Sequence, residues 1–298
     1  MTSAYVENMQ KTIKNEIGIS GHGLFSGKEV SLTLKPAREN HGIVFKRIDL
    51  PNAPAIYAKV NSVKKTPRCT ILGNDDITIL MVEHLLSALY AYEIDNLLIE
   101  IYGPEIPACD GSSKHFVDLL EKAKVVTQNE KKKLIKITKP IYWTRDQVQL
   151  IALPSDRFVI TYILHYPDIK PLKSQYFTTC VDKEIYKKEI SPSRTFSVYE
   201  EIKPLVDQGL IKGGGLNNAV IIKENKILNS DGVRFSDEMA RHKVLDLIGD
   251  LSLLGGKILG HIIAIRSGHF SNVSFAKKIL NVLKEDEKIN ERERINSY

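Results

Sequence analysis

The sequence predicts an α+β fold made of two similar layered sheet-plus-helix domains packed face to face, with an active site at their interface. Three observations predict it. Period-2 apolar runs typical of strands are interspersed with runs that are apolar at helical spacing. The two halves of the 298-residue chain repeat one order: strands, a helix carrying a His among apolar residues, an apolar strand, a polar loop and another helix. A lysine-rich polar stretch separates them. The expected limits are an N-terminal domain over 1–127, a linker over 128–133, a C-terminal domain over 134–284 with an excursion near 196–227, and a charged tail over 285–298.

Residues 30–34 alternate cleanly and stop at Lys35-Pro36, and residues 42–45 form another strand signal. Between 21 and 27 lies a glycine-rich turn without P-loop spacing, so it reads as a hairpin connection. Residues 78–92 are apolar at helical spacing, 95–102 read as a strand, and 114–123 as a second helix. The run Glu130-Lys131-Lys132-Lys133 reads as solvated linker. In the second half, strands are expected at 134–137, 149–153 and 158–164. Within the excursion a short helical piece, limited by Pro204 or holding it in its first turn, precedes a Gly213-Gly214-Gly215 turn and a strand at 219–223. Residues 235–254 predict a helix with Ser236 as N-cap and Asp237 and Glu238 in the first turn. A strand at 257–266, a loop at 267–269 and a closing helix over 271–284 follow. The tail is too charged to pack and reads as a frayed end.

Composition narrows the function classes. The chain is 43% hydrophobic and 26% charged, as expected of a globular protein able to bury a sizeable core. No run of about 18 apolar residues exists, so no membrane span is expected. The N-terminus lacks the apolar core of a secretory signal, which points to the cytoplasm. Cys69, Cys109 and Cys180 are scattered without CxxC spacing, which argues against a disulfide framework or a Cys-rich metal site. The formal charge of +6 would suit nucleic acid, anionic lipid or a phosphorylated small molecule. No dense basic block with interleaved aromatics is present, and nucleic acid is not an expected partner. A single copy of the chain is expected to suffice.

Chemistry-bearing residues concentrate on two helices. His242, Asp246 and Asp250 follow one another at four-residue intervals and so stack along one face, among Met239, Val244, Leu245, Leu247, Ile248 and Leu251. Buried charges of this kind need partners or a metal. In the matching place of the first half, Glu83 and His84 stand side by side within an apolar run. Taken singly, His84 reads equally as a satisfied core histidine, and His242–Asp246 as a stabilising i,i+4 pair. Together, two histidines and a carboxylate are a catalytic zinc set with one position open. Glu83 would be placed to take a proton from water, and the loop residue His269 to give one to a leaving group. The same ligand types suit a non-haem iron oxygenase. Such ligands usually lie on barrel strands, whereas these segments read as helices, which favours hydrolysis.

Longer motifs carry a resemblance. GISGHGLFSGK at 18–28, VEHLLSAL at 82–89 and DNLLIEIYGPEIPACDGSS at 95–113 stand in the first half. SPSRTF at 191–196, LNSDGVRFSDEMARHKVLDLIGDL at 228–251 and RSGHFSN at 266–272 stand in the second. In this order, over nearly the whole chain, they resemble the UDP-3-O-acyl-N-acetylglucosamine deacetylases, the zinc amidases of lipid A synthesis in Gram-negative-type bacteria. The resemblance implies that His84, His242 and Asp246 hold Zn2+, with Fe2+ as a possible substitute, and that the substrate is a UDP-linked acylated amino sugar. It implies Glu83 as general base, and His269, held by Asp250, as the cation that stabilises the oxyanion and protonates the leaving amine. Thr195 and Lys243 match residues contacting substrate or the oxyanion. Phe196 and the turn containing Gly214 match an insert that forms an apolar passage for the acyl chain. Arg266 is a candidate diphosphate contact and equally a plain surface cation. The stretch Pro67-Arg68-Cys69-Thr70 matches a loop near the metal, where Cys69 reads as a buried spectator. The dehydratase domain fused to some relatives is not expected after the last helix.

Overall fold

The computed structural model describes residues 8–74 and 76–296. The first half contains β1 (Met9–Ile13), β2 (Ile17–His22), β3 (Glu29–Pro36), β4 (Ile43–Arg47) and β5 (Ala55–Tyr57). There follow β6 (Val63–Lys65), β7 (Ile71–Gly73), β8 (Thr78–Ile79), helix α1 (Val82–Ala91), β9 (Leu97–Tyr102), α2 (Lys114–Ala123) and β10 (Val125–Lys131). The second half begins with β11 (Leu134–Lys136), β12 (Ile141–Arg145), β13 (Val148–Leu153), β14 (Phe158–Tyr166) and β15 (Lys173–Cys180). The excursion holds β16 (Phe196–Val198), α3 (Tyr199–Asp207), β17 (Val220–Lys223) and β18 (Lys226–Ile227). Then come α4 (Glu238–Ser252), β19 (Lys257–Ile265) and α5 (His269–Asn296).

The repeat seen in the sequence is a repeat of topology. One sheet runs β2-β3-β9-β4-β5, and the other runs β12-β13-β19-β14-β15, with β11 also pairing with β19. In each, the central strand is antiparallel to one neighbour and parallel to the other: β9 to β3 and β4, β19 to β13 and β14. A parallel pair needs a crossover, and the crossovers carry α1 and α4. Burial alternates along β3, β9, β14 and β19, so each sheet packs one face inward.

The two crossover helices pack directly on each other. Gly249 of α4 makes this possible: a Cβ there would lie 2.2 Å from the carbonyl oxygen of Glu83 on α1. The apolar core runs through both halves as one cluster, from Leu32 and Ile99 to Leu247 and Phe275.

Several expectations are corrected. The apolar run at 78–92 is helical only from Val82, because Thr78–Ile79 pairs with β7, Leu80 bridges to Glu105, and Met81 takes a left-handed φ of 61°. The stretch expected as a solvated linker is largely strand: β10 pairs with β1, and Lys132 is buried, its Nζ donating to Asp95 Oδ2 at 2.9 Å. The helix expected from Ser236 starts at Glu238 with Asp237 as N-cap, and the Glu238 side chain is buried, accepting from Arg194 Nε at 2.9 Å. Helix α3 runs on through Pro204, which lies beyond its first turn. Strands β12 and β15 carry too many exposed aromatic and polar residues to be read from periodicity. The closing helix continues through the charged tail to Asn296, in keeping with the good helix propensity of Glu, Lys and Arg. The expected fraying at 297–298 and the first residues, 1–7, lie outside the described residues.

Candidate active site

The site lies where α1 and α4 cross. Glu83 and His84 occupy the first turn of α1, His242, Asp246 and Asp250 line one face of α4, and His269 opens α5. All six are buried. One Nε2 atom of each of the two ligand-type histidines approaches the same carboxylate oxygen: Asp246 Oδ1 is 3.3 Å from His242 Nε2 and 3.6 Å from His84 Nε2. Candidate ligand atoms of the three residues all lie within 4.8 Å of one another.

Protonation makes this arrangement pointed. His242 Nδ1 donates to the Ser193 carbonyl at 3.1 Å, so Nε2 presents a lone pair. Burial pushes the His242 ring down to about 3, so it is neutral near pH 7. Burial alone would raise the Asp246 carboxyl, but His242, Lys243 and His269 hold it well below the ordinary carboxylate range. Because His242 is neutral, Lys243 and His269 supply the lasting charge. Lys243 Nζ donates to Asp246 Oδ2 at 2.9 Å, whereas Oδ1 has no hydrogen-bond partner. A buried lone pair thus faces a buried carboxylate oxygen, which is repulsive unless a cation lies between them. Ligands about 2.0–2.1 Å from a tetrahedral ion stand roughly 3.3–3.4 Å apart, close to the separations found. The donor set therefore fits a divalent ion.

The neighbours of this trio are a carboxyl, Glu83, and an imidazole, His269. Burial raises the Glu83 carboxyl, with His269 and His84 partly offsetting it. A raised carboxyl is suited to accept a proton near neutral pH. His269 Nδ1 donates to Asp250 Oδ2 at 2.9 Å, and its Nε2 stands 3.8 Å from Glu83 Oε1. Burial would lower His269, but Asp250, Glu83 and Asp246 raise it to about 9, so it is a cation near neutral pH. Cys69 is buried beside the group, and burial pushes its thiol up, so it stays protonated; it is outside the ligand trio.

A cavity of about 740 Å³ adjoins these residues. Glu83, His84, Thr195, Phe196, Gly214, His242, Lys243, Asp246 and His269 all line it. Part of its apolar lining comes from the excursion, through Phe196, Val198, Ile202, Val206 and Leu216, and part from Phe25, Trp143, Val148 and Phe270. Lys243 Nζ lies 5.8 Å from the centre of the Phe196 ring. Thr195 is pinned by its backbone, donating to Gly111 and accepting from Val220, both at 2.8 Å. Gly111, with φ +80°, leaves room there, since a Cβ would meet Asn218 O at 2.0 Å. The Gly213–Gly215 turn docks on the glycine-rich turn after β2, with Lys212 and Gly213 donating to Phe25 and Leu24 carbonyls. That explains the first turn without a nucleotide. Arg266 is exposed and lies outside the cavity lining.

Comparison with known proteins gives the family of the chain. The model of the family described as UDP-3-O-acyl N-acetylglycosamine deacetylase matches residues 10–281. The chain belongs to the UDP-3-O-acyl-N-acetylglucosamine deacetylase family. Among similar proteins of that name, the one from Chlamydia caviae is 44% identical over 278 residues, covering 93% of this chain and 99% of the relative. The one from Chlamydia pneumoniae is 43% identical, covering 93% and 99%. That of Chlamydia trachomatis serovar L2 is 40% identical, covering 94% and 98%.

In this deacetylase-family chain, Ser193 and Asn272 are among the partners of the site that escaped the sequence reading. Ser193 orients His242 through its carbonyl, and Asn272 Nδ2 donates to Asp250 Oδ2 at 2.9 Å. Both lie inside quoted motifs, SPSRTF and RSGHFSN, but nothing in local spacing says what they touch. No helix among the described residues is long and apolar enough to cross a membrane.

Proposed function

We propose that the chain hydrolyses the N-acetyl group of a UDP-3-O-acyl-N-acetylglucosamine, releasing acetate, as the committed step of lipid A synthesis. The observation that carries the reading is the unprotonated contact of His242 Nε2 with Asp246 Oδ1, beside His84, a raised carboxyl and a buried imidazolium. His84, His242 and Asp246 would hold the metal, proposed as zinc. When bound, it supplies Lewis acidity that lowers the pKa of water to roughly 7 and polarises the amide carbonyl.

The chain's own residues supply the rest. Glu83 takes a proton from the attacking water. Amide cleavage needs a proton on the departing nitrogen, and His269 gives it from Nε2 while Asp250 holds its Nδ1. Thr195 donates a hydrogen bond to the developing oxyanion, and Lys243 adds a positive charge beside it. The apolar wall beyond Phe196 takes the acyl chain, with the Gly214 turn at its edge. Arg266 is proposed for the diphosphate only as an exposed cation on the loop leading to His269. An iron oxygenase with the same ligands would leave the Glu83 and His269 pair without a role.

Acetate release from UDP-linked substrates, with metal analysis of the purified protein, tests the reading. Turnover abolished by a chelator and restored by one equivalent of Zn2+ is expected. Intact, metal-loaded protein that releases no acetate would overturn it.

A further inference from the structure

Thr70, just before β7, is fully buried and makes two hydrogen bonds that converge on the site from far along the chain. Its backbone N–H donates to Glu83 Oε2 at 3.0 Å. Its hydroxyl donates to Asp250 Oδ1 at 2.5 Å. That is the length of a charge-assisted bond between a hydroxyl and a carboxylate. The Thr70 carbonyl in turn accepts from the N–H of Val82 at the start of α1. We propose that Thr70 is a positioning residue that sets the base and the acid of the reaction from one point. This inference rests on the deacetylase reading and deepens it.

The geometry gives the reason. With Oε2 of Glu83 held by Thr70, the other oxygen, Oε1, is left towards His269 Nε2. With Oδ1 of Asp250 held by the Thr70 hydroxyl, Oδ2 is left for His269 Nδ1 and Asn272. Each carboxylate can rotate about its last bond; the Thr70 N–H fixes which oxygen of Glu83 turns away, and at Asp250 the Thr70 hydroxyl on Oδ1 joins the donors on Oδ2 in holding one orientation. Glu83 belongs to α1 and Asp250 to α4, so Thr70 also ties the proton acceptor and the proton donor to a common frame. A residue chosen only to fill space here would not need a hydroxyl, and Val has the same shape.

The test uses the zinc-loaded full chain as wild type, Thr70→Val and Thr70→Ser. Measured are kcat and KM for acetate release, zinc content, and the proton NMR signal of the His269 Nδ1–H. Thr70→Val should keep zinc and KM while kcat falls about 10- to 100-fold, the range for losing a hydrogen bond to a charged group. Its His269 signal should move, and Thr70→Ser should restore both kcat and the signal. A folded, zinc-loaded Thr70→Val with wild-type kcat and an unmoved signal overturns the proposal, as does a kcat loss that Ser does not rescue. If Thr70→Val does not fold, Thr70→Ser decides: kcat within about threefold of wild type supports the proposal and a loss beyond about tenfold overturns it. If wild type itself releases no acetate, the deacetylase reading fails, and the NMR signal alone judges Thr70: moved by Val and restored by Ser, or not.

Discussion

At the scale of single residues, the site is governed by which groups carry protons. His242 is kept neutral by burial and gives its one N–H to Ser193, so its other nitrogen can only accept. Asp246 Oδ1 can only accept as well. If the trio holds the metal as proposed, removing one member should abolish metal binding rather than weaken it slightly. His84→Ala is expected to lose stoichiometric metal on dialysis, with activity falling to background, as metal analysis and acetate release would report. Glu83 is proposed for a different role, because it stands beside the trio and not in it. Glu83→Gln should keep the metal and lose about 10²- to 10⁴-fold in kcat, the usual contribution of a general base. The row His242, Asp246, Asp250 was legible from its four-residue spacing. Thr70 was not, because its partners lie 13 and 180 residues away.

At the scale of elements, the site depends on how closely α1 and α4 cross. Gly249 lets the helices meet at backbone distance. In a free helix, Gly→Ala would stabilise by about 1 kcal/mol. Here the new Cβ would sit 2.2 Å from a carbonyl oxygen that cannot yield without moving α1. Overpacking of this kind costs roughly 1–3 kcal/mol, so it outweighs the propensity gain. Gly249→Ala should lower Tm and, by displacing Glu83, lower kcat as well; a raised Tm with full activity would contradict the crossing described. Both helices were readable in the sequence, since ten or more residues at a 3.6 period are a strong signal. The start of α1 was not. The residues at 78–81 continue the apolar period, yet Thr78–Ile79 pairs with β7 and the Leu80 N–H goes to Pro104, so the helix cannot begin there.

At the scale of the whole molecule, the two halves are tied together away from the cavity. Glu93, just after α1, pairs with Lys257 of β19 at 2.9 Å, with Lys132 at 4.0 Å and with Lys11 of β1. Burial would raise its carboxyl, but Lys11, Lys132 and Lys257 hold it down at about 2, against an ordinary 4.5. A carboxyl lowered on folding adds stability that is fully present above the unfolded value and is lost as pH falls through the folded one. The window is thus from about 4.5 down to about 2. Glu93→Gln should lower Tm at pH 7, and the gap to wild type should narrow steadily between pH 5 and pH 3 in thermal melts. A gap independent of pH would remove this carboxylate from the stability of the fold. The lysine run that reads as solvated linker supplies one of these partners, because Lys132 is neutralised by Asp95 and Glu93.

The sequence by itself determined the α+β class and the repeated order of elements, and it singled out the candidate trio His84, His242 and Asp246 with Glu83 and His269 beside it. These are recorded in local periodicity and in motifs whose residues lie close together along the chain. Only the tertiary structure decided that the repeat is one of sheet topology with the site on the two crossover helices, that the core is continuous, that the stretch after α2 is a strand, and that Thr70 joins Glu83 to Asp250. Each of those rests on hydrogen bonds or close contacts between distant segments, and a pairing across the fold leaves no period in the sequence to read.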